Sequence, residues 1–235
     1  MLKLVAFSKK RESDLLEEIK NEDRKKSTNM TYATSASLAA LSQVDESLKD
    51  AIDLIFCTGE GEVAQTFEFY KNLANGERAR PLVFQNSLHN STLGALSLSI
   101  PNVSSGMTLS NGDISCEMAL QLALASLSPR PILIVGTDVY NDIVLDLRRE
   151  TYGPLVAVES GACAALFIPE AHPLFKSIPG LVLSELTIVA QPTLSEEFFD
   201  SYYPANGLEA ICDGLKNSSN FKLTRPANYH VHVNG

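Results

Sequence analysis

Residues 105–127 read SGMTLSNGDISCEMALQLALASL. A short strand over 105–109 runs through Asn111-Gly112-Asp113 straight into a helix over 113–127. Asp113 is a good N-cap and Pro129 stops the helix. Ala119, Leu120, Ala123, Leu124 and Leu127 cover one broad face, so this helix is expected to lie buried at the centre of the molecule. A strand, a tight turn and a helix in that order place one side chain at a helix N-terminus. There, unpaired amides and the helix dipole favour negative charge. Enzymes put nucleophiles at such points because the field lowers a thiol's pKa and the amides stabilise an oxyanion. An ordinary capped helix of an α/β domain has the same local pattern.

Working outward, apolar runs read as buried strands at 51–58, 131–138, 162–168 and 181–189. Helices are expected at 31–42, at 62–74 closed by Asn75-Gly76, at 90–100 stopped by Pro101, and at 207–216. Residues 1–8 and 229–233 (YHVHV) alternate as short strands, and 81–90 (PLVFQNSLHN) reads as a loop. Ser13 caps a charged helix with Leu15, Leu16 and Ile19 on one face. Strands alternating with helices indicate an α/β layered fold. No repeat and no linker divides the 235 residues. The chain 1–235 is therefore read as one domain, with its best-defined core at 51–190 and a divergent tail at 191–235. A chain of this length buries roughly 70–75% of its unfolded surface without needing disulfides or a metal.

Composition narrows the function classes. Charged residues make up 20% of the chain and hydrophobic ones 45%, which excludes global disorder. Cys57, Cys116, Cys163 and Cys212 are scattered through mostly apolar runs and read as reduced thiols. No Cys or His spacing suggests zinc, so neither a metal nor a cofactor is expected. His230 and His232 share one face of the last strand, as a metal pair or as two exposed side chains. No run reaches the roughly 18–20 apolar residues of a membrane span, and the opening residues lack a signal core. A soluble, cytoplasmic protein is expected. Residues 1–26 hold eight of the 19 basic side chains and six of the 28 acidic ones. The remainder carries a net charge of −11. So acidic a body repels phosphate backbones, and a nucleic-acid partner is not expected.

Four motifs fall in order along the middle of the chain: Asn90-Ser-Thr-Leu-Gly94, the turn at Asp113 with Ala119-Leu120 behind it, Ile134-Val-Gly-Thr-Asp138, and Glu159-Ser-Gly-Ala-Cys163. Together they resemble the beta-ketoacyl synthases of the thiolase superfamily. The segment Phe84-Gln-Asn-Ser-Leu-His89-Asn90 looks like a short, stand-alone branch of that family, the chain-length factors of bacterial aryl polyene type II polyketide synthases. The resemblance implies half of a thiolase-like fold, with a mixed, mostly parallel sheet between helices. The family carries its catalytic Cys nineteen residues after the motif Gly. That count from Gly94 lands on Asp113, which is expected to cap its helix and to be chemically inert.

The resemblance also carries expectations about role. The family's catalytic histidines lie in a second half that has no counterpart here, so no catalytic residue is assigned. The implied role is a non-catalytic subunit in a heterodimer with a full-length ketosynthase, contacting acyl carrier protein only indirectly and closing the partner's acyl tunnel. In the family the bulky tunnel residue precedes the motif Asn by seven positions, which gives Val83, with Phe84 beside it. The strand bearing Met107 and Leu109 corresponds to the family's dimer strand. Gate and interface residues are thus Val83, Phe84, His89, Asn90, Met107, Leu109, Asp113 and Cys116. Ordinary packing remains open for Val83 and Phe84. The alternative is an enzyme: a minimal acyltransferase using Cys116 or a hydrolase using Asp113 as base.

Overall fold

The computed structural model describes residues 1–14, 26–78, 80–190, 199–226 and 229–235. The expected charged helix with Leu15, Leu16 and Ile19 lies outside them. A six-stranded sheet forms the centre, in the order β3 (Val103–Ser110), β2 (Ile52–Thr58), β4 (Ile132–Asp138), β6 (Gly161–Pro169), β1 (Leu2–Arg11) and β7 (Leu181–Leu183). β2 pairs parallel with β3 and with β4. β6 pairs antiparallel with β4 and with β1, and β1 antiparallel with β7. The first four strands in sequence therefore run one way, as a mostly parallel sheet requires. Because the reversed β6 is inserted between β4 and β1, only two of the five pairings are parallel.

The sequence explains the layering. Every residue of β4 and of β6 is buried, the mark of strands covered on both faces. Their alternate residues feed two cores. Ile134, Cys163, Ala165 and Phe167 face α5 (Ser115–Ala125) and α7 (Gly207–Asn217). Leu133, Val135, Ala162, Ala164 and Leu166 face α1 (Thr28–Leu41) and α4 (Ser91–Ser99). In β1 a bulge between Leu4 and Ala6 switches the parity. Leu2 and Leu4 enter the first core and Ala6 the second. Burying those two leucines side chains alone contributes about 3–6 kcal/mol before entropy is counted.

Three expectations change. Residues 81–90 are not all loop: Pro81–Asn86 form the short helix α3, with Pro at its first position, where the missing N–H costs nothing. The run 181–189 is not one strand. β7 ends at Leu183, and Ser184 donates to the Asn234 carbonyl at 2.8 Å. The chain then enters a second sheet as β8 (Glu185–Ala190), beside β11 (Tyr229–Asn234) and β10 (Asn220–Arg225). Finally, α2 (Val63–Ala74) is followed downstream by a helix the sequence reading passed over, α6 (Asp142–Tyr152). Its signals are ordinary. Asn141 Oδ1 accepts from the Val144 amide at 2.9 Å, and Gly153 ends it at φ +77°. A parallel pair of short strands, β5 (Val156–Val158) and β9 (Phe199–Tyr202), packs beside α6.

Candidate functional site

The turn between β3 and α5 is built from its own residues. Gly112 takes φ +57°, a left-handed conformation that L side chains rarely adopt. Ser115, fully buried, accepts from the Asn111 amide at 2.8 Å. Its hydroxyl lies 2.7 Å from the Gly112 carbonyl and 2.9 Å from the Thr58 carbonyl. This fixes the turn against the end of β2. The helix begins two residues later than expected, with Ile114 at the N-cap and no side-chain cap bond. Asp113 therefore does not cap it. Ala119, Leu120 and Ala123 are buried as expected, but Leu127 lies beyond the helix end and is 95% exposed.

Asp113 instead sits in a cage of tyrosines. Its Oδ1 accepts from the Tyr152 hydroxyl at 2.7 Å and from the Tyr202 hydroxyl at 2.5 Å. Those two rings meet edge to face with centroids 5.0 Å apart. Burial, with the Asp113 charge added, pushes both phenols well above their ordinary range. Both hydroxyls therefore stay protonated and act as donors. A third tyrosine, Tyr229, hydrogen-bonds the Asp113 backbone carbonyl. Its hydroxyl accepts from Arg225 Nε at 3.2 Å and lies 3.1 Å from Glu117 Oε1. Arg225 Nε is itself 3.1 Å from Glu117 Oε1, an ion pair with both side chains buried.

Cys116 lies one turn into the same helix, fully buried, with its Sγ donating to the Ala205 carbonyl at 3.0 Å. Gly136 has no room for a side chain because a Cβ there would meet this sulfur at 2.7 Å. Burial, with Cys57 beside it, pushes the thiol well up. A thiolate nucleophile needs the opposite shift.

Asp138, read only as part of a motif, is a hub. Its Oδ1 accepts from Thr58 Oγ1 at 2.7 Å, the Gly59 amide at 3.0 Å and the Glu60 amide at 2.9 Å. Its Oδ2 accepts from the Ala205 amide at 2.8 Å. Complete burial nonetheless pushes its carboxyl up to about 7. The loop it holds presents Glu60, paired with Arg148 from α6. Burial raises the Glu60 carboxyl and the paired Arg148 opposes that rise, while the His89 ring packs on Gly61.

The remaining expected residues lie on the surface nearby. Phe84 on α3 is 53% exposed, its ring 5.5 Å from that of Phe69. Val83 is half-buried, and His89 and Asn90 are exposed. β3 is the edge strand of the sheet, with Met107 46% exposed and Leu109 packed on the core. Leu93 of α4 covers Gly106 on that strand. Among the described residues, no cluster of three His, Cys, Asp or Glu side chains is placed to hold a metal. No described helix is long and apolar enough to cross a membrane.

A mixed central sheet between helix layers, with one buried helix rising from the edge strand, defines a thiolase-like fold. Residues 12–170 match the beta-ketoacyl synthase N-terminal domain, and the chain belongs to that family. No curated protein matches it by sequence. Its fold is similar to a chain in the structure of the ketosynthase ApeO in complex with its chain length factor ApeC from Xenorhabdus doucetiae. There the TM-score is 0.71 at 18% identity, over 100% of this chain and 99% of the other. A beta-ketoacyl synthase from Burkholderia phymatum gives a TM-score of 0.60 at 14% identity, covering 83% of this chain and 66% of that one. The ishigamide ketosynthase/chain length factor gives 0.60 at 11% identity, covering 81% and 68%.

Proposed function

We propose that this chain is a non-catalytic chain-length-factor subunit that pairs with an active ketosynthase in type II polyketide synthesis, of the aryl polyene kind. The observation that carries the reading is Asp113. Condensation needs a thiolate nucleophile at the head of the buried helix. A carboxylate stands there, its Oδ1 engaged by two protonated phenols. The alternative, an acyltransferase at Cys116 or a hydrolase at Asp113, has to work with a fully buried thiol or with that same engaged carboxylate.

The edge strand supports the heterodimer. β3 carries unpaired backbone groups along one side and an exposed Met107, the pattern that strand addition across a two-fold axis covers. Phe84 and Val83 are the residues proposed to reach the partner's acyl tunnel. One methylene pressed against a closed wall costs about 1–3 kcal/mol, enough to bias where elongation stops. Carrier proteins are acidic, so a body of net charge −11 outside residues 1–26 leaves carrier docking to the ketosynthase. Neither nucleic acid nor membrane is a partner in this reading, and the complex works in the cytoplasm without a cofactor.

Co-expression tests it. The chain should co-purify with a co-expressed full-length ketosynthase through an interface above about 2,000 Å². Product length should change when the chain is left out. A monodisperse monomer that ignores the ketosynthase refutes the proposal.

A further inference from the structure

A cavity of about 400 Å³ opens between the starts of α1, α2 and α6, apart from the tyrosine cage. Gly61, at φ +68°, separates the two acidic side chains of the loop. Glu60 pairs with Arg148, whereas Glu62 lines the cavity. Glu62 is only 3% exposed. Its Oε1 accepts from Ser27 Oγ at 3.2 Å, from Asn29 Nδ2 at 3.3 Å and from Thr92 Oγ1. Among the described residues its Oε2 accepts nothing. Asn29 also lines the cavity, and its buried Oδ1 has no partner.

Buried polar atoms are nearly always partnered, and an orphaned one costs about 1–3 kcal/mol. The orphaned Asn29 Oδ1, beside the Glu62 carboxylate, calls for a ligand that brings N–H groups; the Tyr140 hydroxyl, also buried, unpartnered and lining the cavity, offers a further oxygen to accept one. The charges around the cavity agree: Glu62, Glu68 and Asp142 face one lysine, Lys71. Phe67, Val139 and Ile143 supply apolar wall. The α6 N-terminus does not turn the site toward anions, because Asn141 already caps it and Asp142 occupies its first turn.

We propose that this cavity binds a primary ammonium carried on a short apolar chain, with the ammonium donating to Glu62 Oε2 and Asn29 Oδ1. An ammonium has three donors and no acceptor, which suits a floor made of acceptors. The volume is within the usual range for small-molecule sites, about 300–1,000 Å³.

The test uses hexylammonium as probe, titrated calorimetrically into the full chain. Saturable binding is expected, with hexanoate silent at the same concentrations. Glu62→Gln should weaken it at least tenfold. Since Glu62 also ties Ser27, Asn29 and Thr92 together, Ile143→Trp serves as the second variant. Ile143 is 50% exposed, so the larger ring should fill the mouth without disturbing the fold and should abolish binding. No saturation with hexylammonium, equal binding of hexanoate, or wild-type affinity in the folded variants would overturn the assignment.

Discussion

Removing the Asp113 carboxylate should destabilise the chain without stopping chemistry in the complex. In Asp113→Ala the hydroxyls of Tyr152 and Tyr202 both lose their acceptor. Tyr202 is 1% exposed, so its orphaned hydroxyl costs about 1–3 kcal/mol. Tyr152 is half-buried and adds about 0.5–1.5 kcal/mol. The sum is about 1.5–4.5 kcal/mol. Asp113→Asn keeps the oxygen and loses the charge, which weakens both bonds by about half, and should cost about 1 kcal/mol. The chain has seven tyrosines and no tryptophan, so tyrosine emission in a urea titration reports the cage directly. With a slope near 2 kcal/mol/M, the alanine midpoint should fall by about 1–2 M, with asparagine between it and wild type. An unchanged alanine midpoint refutes the cage. A folded alanine complex that has lost all turnover refutes the non-catalytic reading and returns Asp113 to the chemistry.

Arg225→Met should cost about 3–5 kcal/mol, because it strands Glu117 as a buried charge; adding Glu117→Leu should recover most of the loss in the same denaturation assay. Asp138 has a folded pKa of about 7, raised from an unfolded value of about 3.9, so protonation favours the fold. That contribution is complete below about pH 4 and is lost as pH rises through 7. The stability gap between wild type and Asp138→Asn should therefore be larger at pH 5 than at pH 8; a gap that widens toward pH 8 shows the four donors outweigh burial. Met107→Lys on the β3 edge should abolish co-purification with the ketosynthase while leaving the chain's own melting temperature unchanged, since Met107 is already 46% exposed. Phe84→Ala should lengthen products; unchanged length with reduced stability would make Phe84 a packing residue.

What the sequence disclosed was local. β2, β4 and β6 are continuous apolar runs because both of their faces are covered, and such runs can be recognised without knowing their neighbours. β7 and β8 form one apolar run that serves two sheets, and only the pairing of Ser184 with Asn234 shows the break. Helix α6 has a cap, a stop and an apolar stripe, so its signal was present in the sequence; Val144 is its one buried residue. The turn at Asp113 was legible from spacing. Its cage was not, because Tyr152, Tyr202 and Tyr229 come from three separate elements and meet only through the tertiary fold. Asp138 looked like a motif letter, and its four donors come from the ends of β2 and the segment before α7.

The Glu117 contact with Tyr229 spans 112 residues of chain. A ribosome adding about 5–20 residues per second takes roughly 6–20 s to make that interval. Throughout it the central helix carries a carboxylate whose counter-ion does not yet exist, beside a sheet edge that is still uncovered. The innermost helix thus cannot reach its final setting until residues 225–229 have been made. Nascent chains stalled before residue 225 should remain protease-sensitive at 111–117 even though β1, β2 and β4 have all been made. Chaperone demand should accordingly track the completion of β10 and β11, rather than the emergence of the hydrophobic core.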